Sequence, residues 1–423
     1  MRSLDPLAAD HRQCPHPVYR ELRAHDPVSY LADRGCFLVT THALCLDALR
    51  QPMVFKQWDG DEMFEPGQGP PLGSPANWAP EVRTIMADAF PPVSTLVTAN
   101  PPRHTPYRKL ANELFSARRT AEALAARIEA LTDSLLDELP PQGTVDMVEH
   151  LALPLPAHVI ADVLGVPSEE FRTIRRWADS ALVGISGGGD AARLADAARD
   201  IVAFQRYFLR RLVEAREGDG DDLVSVLARA ELGGERPLEP PEALGILLNL
   251  LTGGAETTAS LLGSMVHRVL TEPGLADRAL ASASVLPAIV EEVLRLDSPV
   301  QAMFRRVASD TELGGVPIPA GAKVLLVFGS ANRDDAAFER ADEMDDQRQD
   351  DARHLAFGFG THFCLGAPLA RKEAAVATRR VLQRLERPRL VDEPLEWDDD
   401  GFFRSLRRLP VTYDGVVPVG AVR

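Results

Sequence analysis

One apolar segment near the middle of the chain constrains the fold more than any other feature. It reads PEALGILLNLLTGGAETTASLLGSMVHRVLT, residues 241–271, with a helical period and apolar residues around most of its circumference. A helix of this kind is buried on nearly all sides, which requires a large protein around it. A chain of 423 residues is long enough to supply such a core. We therefore predict a helical protein built around this segment.

Other segments of helical period are separated by short stretches rich in proline and glycine. They cover residues 104–115, 156–164, 170–183, 191–216 and 286–296. Strand signals are few: PVSYL, CFLVT and AKVLLVF are short β-branched runs, and GGVPIPAG is a turn before the last of them. No internal repeat or long linker divides the chain. The prediction is a mainly α protein with small β-sheets (α+β), forming a single domain over residues 1–423.

Charge and cysteine usage limit the partners and the compartment. The chain has 46 Lys and Arg against 62 Asp and Glu, a formal charge of −16. Nucleic acids and anionic membranes are bound by clustered basic residues, so neither is expected as a partner. The N-terminus has no apolar signal-peptide core. Because the cysteines show no paired spacing, we expect a cytoplasmic protein without disulfides: Cys14, Cys36, Cys45 and Cys364.

The segment FGFGTHFCLG, residues 357–366, sets Cys364 among glycines and aromatic residues. A buried cysteine is most often an inert apolar residue. Here the glycines suit a tight loop, and Ala367 and Pro368 suit the first turn of a helix. Backbone N–H groups at a helix start lower the pKa of a thiol, so Cys364 is predicted to be a thiolate. A lone thiolate has too few neighbouring ligands for zinc and fits an axial haem ligand better.

These residues resemble the bacterial soluble cytochrome P-450 family of haem-thiolate monooxygenases. Phe357, Gly360, Cys364 and Gly366 match the family pattern F-x-x-G-x-x-x-C-x-G at every position. The resemblance extends over nearly the whole chain as one domain. It implies a single-domain cytochrome P-450 fold without a reductase domain. Haem b, iron protoporphyrin IX, would lie between the long central helix and the helix that follows the cysteine loop.

The central segment contains a second family signature, GGAETT, residues 253–258. Two glycines within a helix cost about 1 kcal/mol each relative to alanine. In the family they leave room for dioxygen beside the haem, so Gly253 is assigned to cofactor binding. The resemblance implies that Glu256 and Thr257 deliver the protons that O–O cleavage requires. The alternative is a close helix crossing in which the threonines bond to their own helix.

A third signature, EEVLR, places Glu292 and Arg295 three residues apart on one helical face. In the family this pair is buried beneath the cysteine loop, which implies a structural role. Glu291 is expected to face solvent. After the ANRD segment, ERADEMDDQRQDDARHL is more acidic than the usual family sequence and contains no P-x-x-F-like stretch, which puts its packing in doubt.

The carboxylates of the haem are expected to bind cationic side chains. The family pattern H-x-x-x-R is matched by His104 and Arg108, and a further position is matched by His362. In FRRVASD the family spacing selects Arg305 for the same purpose. Arg306 is the alternative, because neighbouring residues of a strand point to opposite faces.

The implied reaction inserts one oxygen atom from O₂ into a C–H or C=C bond. Two electrons would come from NAD(P)H through a ferredoxin reductase and a ferredoxin. We expect the ferredoxin to bind the helix after the cysteine through Arg371, Lys372, Arg379, Arg380 and Arg384. Three alternatives remain open: oxidative coupling or peroxide-driven oxidation, a haem-binding sensor, and a helical protein with an inert cysteine. Intact Glu256 and Thr257 favour oxygen activation.

The substrate is expected to be a small, mainly apolar organic molecule of secondary metabolism, free or bound to a carrier protein. The segment SGGGD, residues 186–190, is predicted to be a lid hinge. The predicted pocket residues are apolar. They are Trp78, Met86, Phe90, Leu96, Val97, Leu182, Val183, Leu250, Ala302, Met303, Phe402 and Phe403.

Overall fold

The computed structural model of the protein describes residues 4–57, 78–114, 117–186, 190–220, 222–282, 284–348, 353–398 and 402–421. Its α-helices are α1 (Ala9–Arg12), α2 (His16–His25), α3 (His42–Arg50), α4 (Pro80–Ile85), α5 (His104–Leu114), α6 (Ala117–Asp137), α7 (Pro154–Val163), α8 (Phe171–Ser186), α9 (Ala191–Ala215), α10 (Leu223–Arg229), α11 (Pro240–Thr271), α12 (Leu275–Ala281), α13 (Leu286–Leu296), α14 (Phe328–Ala331) and α15 (Ala367–Arg384).

The strands are short. They are β1 (Val28–Leu31), β2 (Cys36–Val39), β3 (Phe55–Lys56), β4 (Gly143–Asp146), β5 (Glu231–Leu232), β6 (Arg236–Pro237), β7 (Met303–Val307), β8 (Thr311–Leu313), β9 (Val316–Ile318), β10 (Lys323–Leu326), β11 (Leu385–Glu386), β12 (Arg389–Leu390), β13 (Pro410–Tyr413) and β14 (Gly415–Val416). The predicted mainly α class with small β-sheets is confirmed.

Helix α11 is the predicted central helix and has 32 residues. It begins at Pro240 and Pro241, whose missing N–H groups cost nothing in a first turn. Leu247, Leu251 and Leu262 have no more than a trace of exposed surface. The apolar circumference of the segment therefore predicted its burial correctly. Among the described residues no helix is both long and apolar enough to cross a membrane.

The chain divides into two compact units. The first unit comprises Met1–Phe55, Arg118–Pro156 and Thr257–Arg423, and the second comprises Lys56–Ala117 and Ala157–Glu256. The family sequence signatures are shared between them, with the cysteine loop in the first unit and His104 in the second. A single domain without a reductase part stays a prediction.

In the first unit a β-sheet contains strands in the order β1, β2, β10 and β7. Strand β2 is antiparallel to β1 and parallel to β10, with Leu38 beside Leu325. These strands lie within the predicted runs PVSYL, CFLVT and AKVLLVF. The segment GGVPIPAG is more than the predicted turn, because it contains β9, which pairs with β8. Gly314 and Gly315 connect the two strands at φ of 60° and 80°.

In the second unit α8 and α9 pack through aromatic side chains. The ring of Trp177 lies 5.8 Å from that of Phe204 and 6.3 Å from that of Phe208, measured between centroids. Asp190 caps α9 by accepting the N–H of Arg193 at 2.9 Å. Both helices match their predicted ranges to within three residues. The central residues of the predicted lid hinge, 187–189, lie outside the described residues.

Helix α6 was not among the predicted helices. Its side chains Ile128, Leu131 and Leu136 recur at helical spacing and are buried. The helical spacing of apolar residues was therefore present in the sequence, but the many Ala and Arg residues of the segment make that spacing hard to recognise. Asp133 of this helix binds two arginines of α15, Arg380 and Arg384.

Candidate active site

The cysteine segment of the first unit forms a tight loop that leads into α15. Gly358 and Gly360 have φ of 67° and 71°, a backbone region that glycine enters without steric cost. The N–H of Cys364 donates to the carbonyl of Phe357 at 3.0 Å, which closes the loop. Helix α15 then begins at Ala367, with Pro368 in its first turn. The local structure is therefore the loop-to-helix arrangement that the sequence predicted.

The sulfur of Cys364 lies in a different environment from the other internal thiols. Cys364 is half-buried, and a Cβ atom added at Gly366 would lie 3.9 Å from its Sγ. Burial raises the pKa of Cys36 to about 11, and burial also raises the pKa of Cys45 far above its ordinary value. Both of those thiols stay protonated at neutral pH. Cys36 and Cys45 are therefore inert core residues, whereas Cys364 is only half-buried.

Glu292 and Arg295 form a fully buried ion pair on α13. Arg295 Nε donates to Glu292 Oε1 at 2.6 Å and Arg295 Nη2 donates to Oε2 at 3.0 Å. The same guanidinium donates to the carbonyls of Asn332 and Ala341. A buried pair of this kind is stable only when its remaining hydrogen-bonding groups are also satisfied.

Arg348 completes this pair and was missed from the sequence. Its Nε donates to Glu292 Oε1 at 2.9 Å, and its Nη1 donates to the carbonyl of Glu339 at 2.6 Å. The N–H of Asp345 binds the other carboxylate oxygen of Glu292 at 3.0 Å. The unusually acidic segment is therefore anchored to the buried pair through the Arg348 side chain, the Asp345 N–H and the carbonyls that accept from Arg295. No sequence spacing identifies the Arg348 contact, because it joins residues 56 positions apart.

Glu291 does not face solvent as predicted. Its side chain is 14% exposed, and it binds Arg371 at 2.6 Å and His354 at 3.2 Å. The prediction failed because periodicity gave Glu291 no partner within α13, whereas its partners come from α15 and the segment before the cysteine loop.

The predicted propionate ligands come from both units. Within the second unit His104 is buried at the start of α5; burial lowers its pKa, and the nearby Arg108 lowers it further. Within the first unit His362 lies in a short 3-10 turn, Gly360–His362. Arg305 on β7 is 5% exposed, whereas Arg306 is half-buried and lies opposite Lys323. Arg305 is the inward-facing arginine of this strand.

The two glycines of GGAETT have different surroundings. A Cβ atom at Gly254 would lie 3.0 Å from Ile160 Cδ1, so close packing accounts for this glycine. A Cβ atom at Gly253 would meet no atom within 4 Å, so Gly253 leaves open space beside the helix. Glu256 and Thr257 are half-buried in the middle of α11. Close packing therefore explains the glycine at position 254 but does not explain the glycine at position 253.

The predicted pocket residues fall into three groups. In the second unit Phe90, Leu96, Leu182 and Leu250 are half-buried, and Val97 is 43% exposed. Trp78, Met86 and Val183 instead belong to a hydrophobic core cluster, so their side chains are committed to packing. In the first unit Ala302 is buried, Met303 is half-buried, Phe402 packs on Phe304, and Phe403 lines a small cavity with Tyr19 and Arg404.

The predicted basic face of α15 is largely neutralised. Arg380 binds Asp133 at 2.7 Å, Arg384 binds Asp133 at 2.7 Å and also binds Asp137, and Arg371 binds Glu291. The acidic partners of Arg380 and Arg384 lie on α6, the helix that the sequence analysis missed. Within the described part of the chain Lys372 and Arg379 make no ion pair. Three of the five cations are therefore structural.

Comparison with known proteins identifies the family. The family description "Cytochrome P450" matches residues 195–399. The chain is 36% identical to the steroid C26-monooxygenase of Mycobacterium tuberculosis, over 95% of this chain and 94% of that protein. It is 36% identical to the vitamin D(3) 25-hydroxylase of Pseudonocardia autotrophica, over 95% of this chain and 94% of that protein.

A solved structure shows the same fold. CYP109E1 from Bacillus megaterium in complex with corticosterone is 30% identical and superimposes with a TM-score of 0.81 over 96% of this chain and 99% of that chain. The relatives are monooxygenases, enzymes that incorporate oxygen from O₂. The chain therefore belongs to the cytochrome P450 family of monooxygenases, which bind haem b through a cysteine thiolate.

Proposed function

We propose that Cys364 is the axial ligand of haem b in this protein and that the enzyme hydroxylates a steroid-sized, mainly apolar molecule with electrons from a ferredoxin. The observation that carries the proposal is the position of Cys364 in a glycine loop directly before α15, in a chain of the P450 family. The starting end of a helix favours the anionic form of a thiol, which is the form that binds iron.

The residues suit a haem group. Gly366 adds no side-chain carbon beside the Cys364 sulfur; a Cβ atom there would be in van der Waals contact with the sulfur at 3.9 Å. Burial lowers the pKa of the Arg305 guanidinium to about 10. A carboxylate beside a buried cation favours its charged form, so a haem propionate would stabilise Arg305 as a cation. His362, His104 and Arg108 would bind the propionates as well.

Bound haem would supply the chemistry that activates O₂ with two electrons. The side chains of the protein would deliver the protons that the reaction consumes, and a glycine would leave room for dioxygen. Thr257 would orient a water beside the oxygen through its hydroxyl group, and the half-buried Glu256 would exchange protons with solvent. Gly253 would leave the helix surface free of a side chain where the oxygen binds.

The relatives support a rigid apolar substrate. Two of them are named for a steroid and for vitamin D(3), and the matching solved structure contains corticosterone. The half-buried apolar side chains Phe90, Leu96, Leu182 and Leu250 would cover such a molecule. A hydroxyl group would be introduced at a C–H bond. Attachment of the substrate to a carrier protein is the alternative form.

A ferredoxin reductase and a ferredoxin would deliver the electrons from NAD(P)H. Ferredoxins are acidic, and Lys372 and Arg379 are the cations of α15 that remain available for them. Opposite charges steer the encounter of two proteins and raise its rate. The docking surface proposed here therefore consists of two residues, not the five expected from the sequence.

The substrate and the reaction can be tested together. Purified haem-loaded protein would be titrated with steroids and with macrolide and carrier-bound acyl compounds, and turned over with ferredoxin, reductase and isotopically labelled dioxygen. We expect a steroid to perturb the haem spectrum and to gain one labelled oxygen atom. Label found only in water, or a response confined to carrier-bound compounds, would contradict the proposed substrate.

A further inference from the structure

A second acidic residue of α13 connects the two flanks of the cysteine loop. Glu291 directly precedes Glu292 of the buried pair but points to different partners. One partner, His354, lies before the loop, and the other, Arg371, lies on α15 after Cys364. A single carboxylate therefore binds both ends of the segment that contains the cysteine.

The hydrogen bonds of His354 select the tautomer of its neutral ring. His354 Nδ1 accepts the N–H of Ala356 at 3.2 Å, so this nitrogen carries no proton. The proton of a neutral ring is then on Nε2, which donates to Glu291 Oε2 at 3.2 Å. The imidazole thus bridges the Glu291 carboxylate to the backbone immediately before Phe357, and its side chain is 2% exposed.

The contact with Arg371 reaches the cysteine through Phe357. Arg371 donates from Nε at 2.6 Å and from Nη2 at 2.7 Å to the two oxygens of Glu291, a bidentate arrangement. The same guanidinium carbon lies 4.6 Å from the centroid of the Phe357 ring. The carbonyl of Phe357 accepts the N–H of Cys364 at 3.0 Å. Glu291 therefore orients Arg371, which in turn contacts Phe357, the residue whose carbonyl binds the cysteine backbone.

The negative charge of Glu291 is balanced by the positive charge of Arg371. Burial raises the pKa of Glu291, but hydrogen bonds from Arg371 and His354 outweigh it, and the pKa is about 2. Glu291 is therefore ionised at neutral pH and offsets the positive charge of Arg371. Because the Arg371 side chain is only 34% exposed, water screens an unbalanced charge there incompletely.

We propose that Glu291 is a positioning residue for the thiolate, which fixes both flanks of the cysteine loop and neutralises Arg371, the cation that lies over the Phe357 ring. The inference rests on the proposed role of Cys364 as the haem ligand. Removal of the carboxylate charge leaves Arg371 as an unbalanced cation on the helix that follows the cysteine loop, and added positive charge favours the reduced, less positive iron. It also releases His354 and Arg371 from their common anchor, so thiolate ligation becomes easier to lose.

The experiment compares haem-loaded wild-type protein with Glu291→Gln, Arg371→Gln and the double variant. Glu312→Gln, an exposed acid on β8 of the same unit, is the matched control. Reduction potentials are measured by spectroelectrochemical titration. Loss of the thiolate-type band of the CO complex is followed over time.

The potential is expected to shift positive in Glu291→Gln, to shift negative in Arg371→Gln and to return towards the wild-type value in the double variant. The thiolate-type band should decay faster in Glu291→Gln, and Glu312→Gln should match wild type. A role in general stability alone would lower the melting temperature of Glu291→Gln and leave the potential unchanged, which would overturn the inference.

Should Glu291→Gln fail to bind haem, Arg371→Gln decides: a negative shift supports the inference and an unchanged potential overturns it. Failure of the underlying assignment looks different. A wild-type protein without a thiolate-type band would overturn the role of Cys364 and this inference with it.

Discussion

Among the individual side chains, Glu373 on α15 has an unusual environment. It is 2% exposed, and its Oε2 atom makes no hydrogen bond with any described residue. Burial raises its pKa well above the ordinary value. A buried carboxyl with an unsatisfied oxygen is far less costly when protonated than when ionised. Burial therefore favours the neutral form of Glu373 in the folded protein.

This gives a pH-dependent prediction for Glu373→Gln. Because the folded pKa is raised, the carboxyl favours folding below the pKa of the unfolded chain and this contribution is lost as pH rises above it. Wild type should lose about 1.4 kcal/mol per pH unit relative to the glutamine variant between the unfolded and folded pKa values. Denaturant unfolding at several pH values measures the difference. A difference that does not change with pH would contradict the prediction.

Thr257 supports a second prediction at this scale. Thr257→Ala should leave substrate binding nearly unchanged and divert electrons to hydrogen peroxide, since the hydroxyl proposed to orient the protons is removed. The matched control is Thr252→Ala on the same helix, because the Thr252 hydroxyl donates to the carbonyl of Leu248 at 2.5 Å and is occupied there. The measurement is product formed per NAD(P)H consumed. An unchanged ratio in Thr257→Ala would argue against the proton role.

At the scale of secondary structure, α15 begins three residues after the proposed haem ligand Cys364, and most of its predicted docking cations are paired with acids. The sequence predicted its beginning correctly, because Pro368 and Gly366 are local signals. It did not predict which of its cations are available. Arg380 and Arg384 bind acids of α6 about 250 positions away, and no local pattern reports such a contact.

Reversal of the remaining cations of α15 should affect electron transfer selectively. Lys372→Glu and Arg379→Glu should slow reduction by the ferredoxin and flatten its dependence on salt, because the steering charges are lost. Substrate affinity should not change. Arg389→Glu, an exposed cation on β12, is the control.

Stopped-flow reduction at several ionic strengths measures the effect. Reduction that is equally fast and equally salt-dependent in both variants would place the docking surface elsewhere. Reversal of Arg380 or Arg384 should instead destabilise the protein, since each is buried against Asp133.

Across the whole molecule, the accuracy of the sequence predictions follows the range of the interactions. The apolar circumference of α11 and the glycine loop before Cys364 are local features, and both were predicted. The contacts of Glu291 and Arg348 depend on chain segments that meet only after folding, so Glu291 was assigned to solvent and Arg348 was missed. The residues proposed for the reacting centre, Glu256 and Thr257, rest on family signatures rather than on spacing.

The most direct test of the assignment is the spectrum of the reduced, CO-bound protein in wild type, Cys364→Ser and Cys14→Ser. Cys14 is an exposed cysteine and serves as the matched control. Wild type and Cys14→Ser should both show the thiolate-type band, and Cys364→Ser should lose it, because a serine hydroxyl is a far weaker anionic ligand at neutral pH. Retention of that band in Cys364→Ser, or its absence from wild type, would contradict ligation of the haem by Cys364.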